Sequence, residues 1–84
     1  MTYEIRFTKQ AAKDVSKLTP KLREKLKGLL RNRIAREPLE GKPLLGELAG
    51  YYSVRLSYKD RVVYTVDEAA RVVLVHRART HYGD

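Results

Sequence analysis

The chain has 84 residues, and 18 Lys and Arg against 10 Asp and Glu give a formal charge of +8. That length fits one small domain over residues 1–84, and the absence of cysteine excludes a disulfide framework, a thiolate metal site and a cysteine nucleophile. Two histidines with no carboxylate at ligand spacing predict no metal and no cofactor; the missing leader and membrane span predict a soluble, cytoplasmic protein, and the charge predicts a polyanionic partner.

Along the chain, Thr2 to Phe7 alternates, with Tyr3, Ile5 and Phe7 on one face, and this period of two predicts a half-buried strand. Thr8 is placed to cap a short helix that ends near Leu18. Thr19 caps a second helix, and Pro20 suits its first position, where a missing N–H costs nothing. From Pro20 to about Arg36, Leu22, Leu26, Leu29, Leu30, Ile34 and Ala35 form one apolar stripe, with Lys21, Arg23, Lys25, Lys27, Arg31 and Arg33 mostly off it. Glu37-Pro38 stops this helix, because the residue before a proline is pushed out of the α region. Pro38 to Gly50, punctuated by Gly41, Pro43, Gly46 and Gly50, is predicted to be an irregular loop. Strands follow at Tyr51 to Tyr58, at Arg61 to Asp67 after a tight turn at Lys59-Asp60, and at Arg71 to Arg77; Ala78 to Asp84 is predicted extended. The fold class is therefore α+β in the order β-α-α-β-β-β: an antiparallel meander, the first strand added beside it, and a helical hairpin on one face.

Register then assigns the faces. Tyr52, Val54, Leu56, Val62, Tyr64 and Val66 point at the helices, whereas Tyr51, Ser53, Arg55, Ser57, Arg61, Val63 and Thr65 point the other way. Arg55 and Arg61 therefore meet on the helix-free side, with Arg77, Arg79, His81 and Tyr82 close behind in sequence. Guanidinium groups keep their charge and fork onto phosphate oxygens, and histidine transfers protons near neutral pH. This set suits a phosphodiester. In RNA the 2′-hydroxyl is already the nucleophile, so a chain without cysteine or a metal site can still cleave RNA, given in-line positioning, charge stabilisation and proton transfer. Taken singly, strand arginines of this kind are most often solvated surface charges and a histidine near a terminus is more often surface than catalytic, and alternation puts His76 with Val72 and Leu74 as a packed or edge histidine.

Four motifs in order carry a family likeness: Glu37-Pro38-Leu39-Glu40-Gly41-Lys42-Pro43-Leu44, then Leu48-Ala49-Gly50-Tyr51-Tyr52-Ser53-Val54-Arg55-Leu56, then Asp60-Arg61-Val62-Val63-Tyr64-Thr65-Val66, and finally Arg79-Thr80-His81-Tyr82. Together they resemble the RelE/ParE superfamily of bacterial toxins, nearest to its YoeB/Txe branch. The resemblance implies a small sheet packed on a helical hairpin and a ribosome-dependent endoribonuclease that cuts messenger RNA in the A site. It also implies Arg61 as the phosphate clamp, Arg55 as a second phosphate contact, Arg79 as a supporting arginine, His81 as general acid or base, and Tyr82 as the residue that orients substrate or proton. The catalytic glutamate of YoeB-like toxins has no counterpart by spacing; Glu47 is the only acid between Gly41 and Gly50, Glu40 lies just before them, and Ser53 stands near a lysine of RelE-like relatives.

Implied partners are a cognate antitoxin whose acidic segment covers the outward sheet face, the ribosome with its mRNA, and operator DNA only through the toxin–antitoxin complex. No membrane partner is implied. Ribosomal RNA phosphates would meet Lys9, Lys13, Lys17 and the Lys21 to Arg36 face. Two other readings stay open on the residues alone: a ParE-like gyrase inhibitor without nuclease activity, and a basic nucleic-acid-binding module.

Overall fold

A computed structural model describes residues 2–78, so the expectation for the tail lies outside the described residues from 79 onward. The chain opens with β1 (Glu4–Phe7) and turns into α1 (Lys9–Lys17). Thr8 Oγ1 accepts the Ala11 N–H at 3.1 Å, and at the start of α2 (Pro20–Leu29) Thr19 Oγ1 accepts the Leu22 N–H at 3.2 Å. Each such cap satisfies a helix-end donor and contributes about 1 kcal/mol. The second helix continues as a π-helical turn, Leu30–Ile34, in which the Ala35 N–H reaches back to the Leu30 carbonyl at 2.7 Å. The wider turn leaves Leu30, Ile34 and Ala35 all buried, and the Ala35 carbonyl accepts the Tyr3 N–H at 2.7 Å. The end of the helix is thereby tied to the first strand.

The remaining strands are β2 (Lys42–Pro43), β3 (Tyr52–Arg55), β4 (Arg61–Asp67) and β5 (Val72–Arg77), with short 3-10 turns at Pro38–Glu40 and Gly46–Leu48. They form one five-stranded sheet in the order β1-β5-β4-β3-β2. The expected meander is present as β3-β4-β5, antiparallel throughout, and β1 joins it parallel to β5 with Ile5 opposite Val73. The region expected to be an irregular loop contains a strand: β2 pairs antiparallel with β3, Lys42 facing Ser53 and Pro43 facing Tyr52. Proline is tolerated there because β2 is an edge strand and one side of it needs no donor. The third strand is shorter than expected, because residues 56–60 make the turn. Ser57 Oγ accepts the Lys59 and Asp60 N–H groups, while its own hydroxyl donates to the Asp60 carboxylate at 2.9 Å. Between β4 and β5 the register shifts at Val63/Tyr64, which pair with Arg77 and Val75. Residue 76 is the extra one, a bulge that bends the strand.

Alternation places the faces as expected. Val54, Leu56, Val62, Tyr64, Val73 and Val75 form one buried cluster with Ala11, Leu18, Leu26, Leu30 and Ile34 of the helical segment, and Tyr52 and Val66 pack against it. Each fully buried aliphatic side chain contributes about 1.5–3 kcal/mol of transfer free energy, so this cluster is what holds the helices to one face. Tyr64 is the polar exception. Its hydroxyl donates to the Pro38 carbonyl at 2.6 Å, and burial pushes its ionisation up to about 12. Gly41 lets it in: a Cβ at that position would collide with the Tyr64 hydroxyl. The 38–41 segment is thus stitched to the middle of β4. No helix among the described residues is long and apolar enough to cross a membrane.

Candidate phosphate-binding site

The site is built by strand pairing on the helix-free face. Arg55 ends β3, Arg61 begins β4, and the register sets them directly opposite each other across the hairpin. One row along, Ser53 faces Val63 on one side and Lys42 on the other. Residues paired across a sheet share a face, so three cations and one hydroxyl converge. Lys42, Ser53, Arg55 and Arg61 line a cleft of about 250 Å³.

Two properties of the cleft point to an anion. Like charges directly opposite each other in a ladder are destabilising, yet among the described residues neither Arg55, Arg61 nor Lys42 has an acidic partner. Ser53 is only 5% exposed, and its hydroxyl makes no hydrogen bond among the described residues. A buried polar group left unbonded is costly, and this one opens onto the cleft. An oxyanion placed there would satisfy the hydroxyl and neutralise the guanidinium pair together, through charge-assisted and forked hydrogen bonds.

The other expected site residues fall in four places. Arg79, His81 and Tyr82 lie outside the described residues. Glu47 sits exposed on the Gly46–Leu48 turn and is not part of the cleft lining. Glu40 lies apart, beside Glu37, whose hydrogen bond and negative charge raise its carboxyl above the ordinary value. Arg77, which the reading of the sequence counted toward the outward face, is engaged elsewhere: its Nε donates to Asp14 of α1 at 2.8 Å. His76 is packed, as alternation suggested. Its Nε2 is 3.0 Å from Thr65 Oγ1, its ring centroid lies 4.9 Å from that of Tyr51, and burial lowers its pKa.

Three residues at the cleft or beside the end of β5 escaped the reading of the sequence. Lys42 looked like loop, because a two-residue strand has no periodicity to detect. Ser53 was assigned a face but no role. Asp14 looked like one more polar residue of a basic helix; it is 4% exposed and accepts from Gln10, from Arg77 and from the Ala78 N–H at 3.2 Å. Burial pushes this carboxyl up, but the three hydrogen bonds and the charge of Arg77 outweigh that and hold it below the ordinary carboxylate value. Asp14 therefore pins the end of β5, the point from which the segment carrying Arg79 and His81 departs.

Comparison with known proteins places this arrangement. Toxin RelG of Mycobacterium tuberculosis is 37% identical over 78 residues, spanning 92% of this chain and 88% of that protein. Among solved structures, the RelBE2 toxin–antitoxin complex of Mycobacterium tuberculosis superposes with a TM-score of 0.87 at 34% identity, covering 96% of this chain and 100% of the matched one. The YoeB/ParE toxin of Agrobacterium tumefaciens gives 0.83 at 30% identity, with 94% and 99% covered. The family model for the YoeB-like toxin of bacterial type II toxin-antitoxin systems matches residues 7–82. With the fold, the ordered motifs and nearly the full length in agreement, the chain belongs to the YoeB-like toxins of type II toxin–antitoxin systems.

Proposed function

We propose that this toxin is a ribosome-dependent endoribonuclease that cuts mRNA in the A site through attack of a ribose 2′-hydroxyl on the adjacent phosphorus. The observation that carries the reading is the cleft in which, among the described residues, Lys42, Arg55 and Arg61 converge without counter-charge around a Ser53 hydroxyl that makes no hydrogen bond. Family membership supports it. In the reaction the 2′-oxygen forms a bond to phosphorus as its proton leaves to a base, negative charge builds on the non-bridging oxygens, and the 5′-oxygen departs with a proton. The products are a 2′,3′-cyclic phosphate and a 5′-hydroxyl.

The two arginines and Lys42 supply fixed positive charge where that negative charge develops, and the Ser53 hydroxyl donates to a non-bridging oxygen. Such preorganised groups are each worth about 10²–10³ in rate. His81 transfers a proton, Tyr82 orients the reacting groups, and Arg79 adds charge from the same segment. Glu47 is the candidate for the opposite proton transfer. A cognate antitoxin, as in the RelBE2 complex of the relative, would neutralise this face with an acidic segment, and operator DNA would be met through that complex.

The test is primer extension on a translated message with wild type, Arg61→Ala and His81→Ala. Cleavage falls by about 100-fold or more in either variant, with the circular dichroism spectrum unchanged. Undiminished cleavage by both variants would refute the nuclease reading; wild-type cleavage of naked mRNA at an equal rate would refute ribosome dependence.

A further inference from the structure

Two tyrosines stand side by side at the entry to β3, and their rings go to opposite faces of the sheet. Tyr52 stacks on Tyr64, with ring centroids 5.8 Å apart and planes 16° from parallel, and packs against the buried cluster beneath the helices. Alternation sends Tyr51 to the helix-free face. There its ring meets that of His76, centroids 4.9 Å apart and planes tilted by 58°. Neither Tyr51 nor His76 belongs to the buried cluster, and both are half-buried. Packing of the helices therefore does not account for the pair.

Both rings are held in place. Gly50, at a φ of 95° that glycine adopts without strain, turns the chain into the strand. The Tyr51 N–H then donates to the Leu48 carbonyl at 3.0 Å, and the Tyr51 carbonyl accepts from the Leu44 N–H at 2.9 Å. His76 is the extra residue of the β5 bulge, a device that re-aims a side chain, and its Nε2 lies 3.0 Å from Thr65 Oγ1. Burial lowers its pKa, so at neutral pH the pair presents an uncharged π surface. Groups fixed in this way lose little freedom when a ligand docks. Their location adds a second, independent feature. Tyr51 lies two residues before Ser53 on the same face, about 7 Å along the strand, and Ser53 lines the cleft with Lys42, Arg55 and Arg61. A cationic cleft and an aromatic pair at this spacing fit one class of ligand, in which a ribose joins a phosphate to a flat base. Single-stranded RNA is held in this manner, its backbone by cations and its bases by aromatic faces.

We propose that Tyr51 and His76 form a base platform, on which the nucleobase adjoining the phosphate held by Arg55 and Arg61 stacks. Thr65 keeps the imidazole turned so that the two rings act together. Stacking tolerates any base, because each has a π-face, so the platform sets where the RNA lies in the cleft rather than which codon is cut. The inference rests on the nuclease reading for RNA as the ligand, and on the ring pair beside the cleft for the place of the base.

The experiment titrates full-length toxin, followed by NMR, with adenosine 5′-phosphate and with ribose 5-phosphate, which is the same probe without its base. Wild type, Tyr51→Ala and Arg61→Ala are compared. In wild type the nucleotide is expected to bind at least about tenfold more tightly than the sugar phosphate, and the ring protons of Tyr51 and His76 move upfield under the stacked base. Tyr51→Ala abolishes that advantage and leaves the affinity for ribose 5-phosphate unchanged; Arg61→Ala weakens both probes and keeps the advantage. Equal affinities in wild type overturn the proposal, as does an advantage that survives in Tyr51→Ala, or wild type that binds neither probe. A Tyr51→Ala variant that loses both probes alike also overturns it, since the ring then only supports the fold. The upfield shifts are read in wild type and depend on no variant. Cleavage lost in Arg61→Ala and His81→Ala alongside equal probe affinities refutes the platform alone, whereas undiminished cleavage by both refutes the nuclease reading and leaves a measured base advantage standing.

Discussion

Arg55 and Arg61 face each other across a hairpin with no acid paired to them among the described residues, an arrangement that costs stability in the free protein. Replacing Arg61 with Gln is expected to raise the unfolding free energy by about 0.2–1 kcal/mol, the usual scale of a cross-strand charge pair, while cleavage drops by about two orders of magnitude. Denaturant melts and primer extension on the same preparations check both signs. Ser53→Ala removes an unbonded buried hydroxyl, so stability holds or rises, while cleavage falls. At Gly41 the balance is structural. Gly41→Ala drives a methyl group into the Tyr64 hydroxyl, and Tyr64→Phe strands the Pro38 carbonyl. Each is expected to cost about 1–3 kcal/mol, read as a lower midpoint in urea. The glycine and the tyrosine were both visible in the sequence as motif letters. That one exists to admit the other was not, because 23 residues separate them along the chain and only the packing brings them together.

At the scale of elements, the informative joint is between α1 and the end of β5. Asp14 accepts from Arg77 and from the Ala78 N–H, and both Asp14 and Ala78 are buried. Asp14→Ala leaves that N–H unsatisfied and is expected to cost about 1–3 kcal/mol. The pH dependence has a definite sign. The folded-state pKa of Asp14 lies below its unfolded value, so its stabilisation is complete above the unfolded value of about 3.9 and is lost as pH falls through the folded one. His76 acts in the same direction at higher pH. Burial lowers its pKa, so the folded state favours neutral imidazole; stability is full above about 6.5 and declines as pH falls below it toward the folded value. Thermal melts from pH 8 to pH 3 should show two losses, the upper one removed by His76→Phe and the lower one by Asp14→Asn. Helix ends and strand faces were legible in the sequence, since Thr8, Thr19 and Pro20 act on their immediate neighbours and alternation is local. The bulge at residue 76 and the two residues of β2 were not, because each answers to a partner strand.

Across the whole molecule, the charge of +8 is spread rather than concentrated. Lys9, Lys13, Lys17, Lys21 and Lys25 are exposed along the helices, Arg23, Lys27 and Arg31 line a recess between β1 and α2, and Lys42, Arg55 and Arg61 surround the cleft. Contacts to ribosomal RNA phosphates through the helical lysines are expected to make binding steeply salt-dependent. Ribosome co-sedimentation across a salt series checks this: changing Lys9, Lys13 and Lys17 to Ala should flatten the slope, while Arg61→Ala should leave binding nearly intact and remove cleavage.

Composition and local pattern by themselves determined the class of fold, the faces of the strands, the helix caps and the pair Arg55/Arg61, because those depend on residues near one another in the chain. The order of the sheet was decided elsewhere. So were the recruitment of Lys42 to the cleft beside Arg55 and Arg61, the burial of Ser53 there, the diversion of Arg77 to Asp14 and the place of β1 at the sheet edge. Each of these depends on which distant segment wins a place in the packed molecule, and that competition is settled by burial and hydrogen bonding over the whole chain at once.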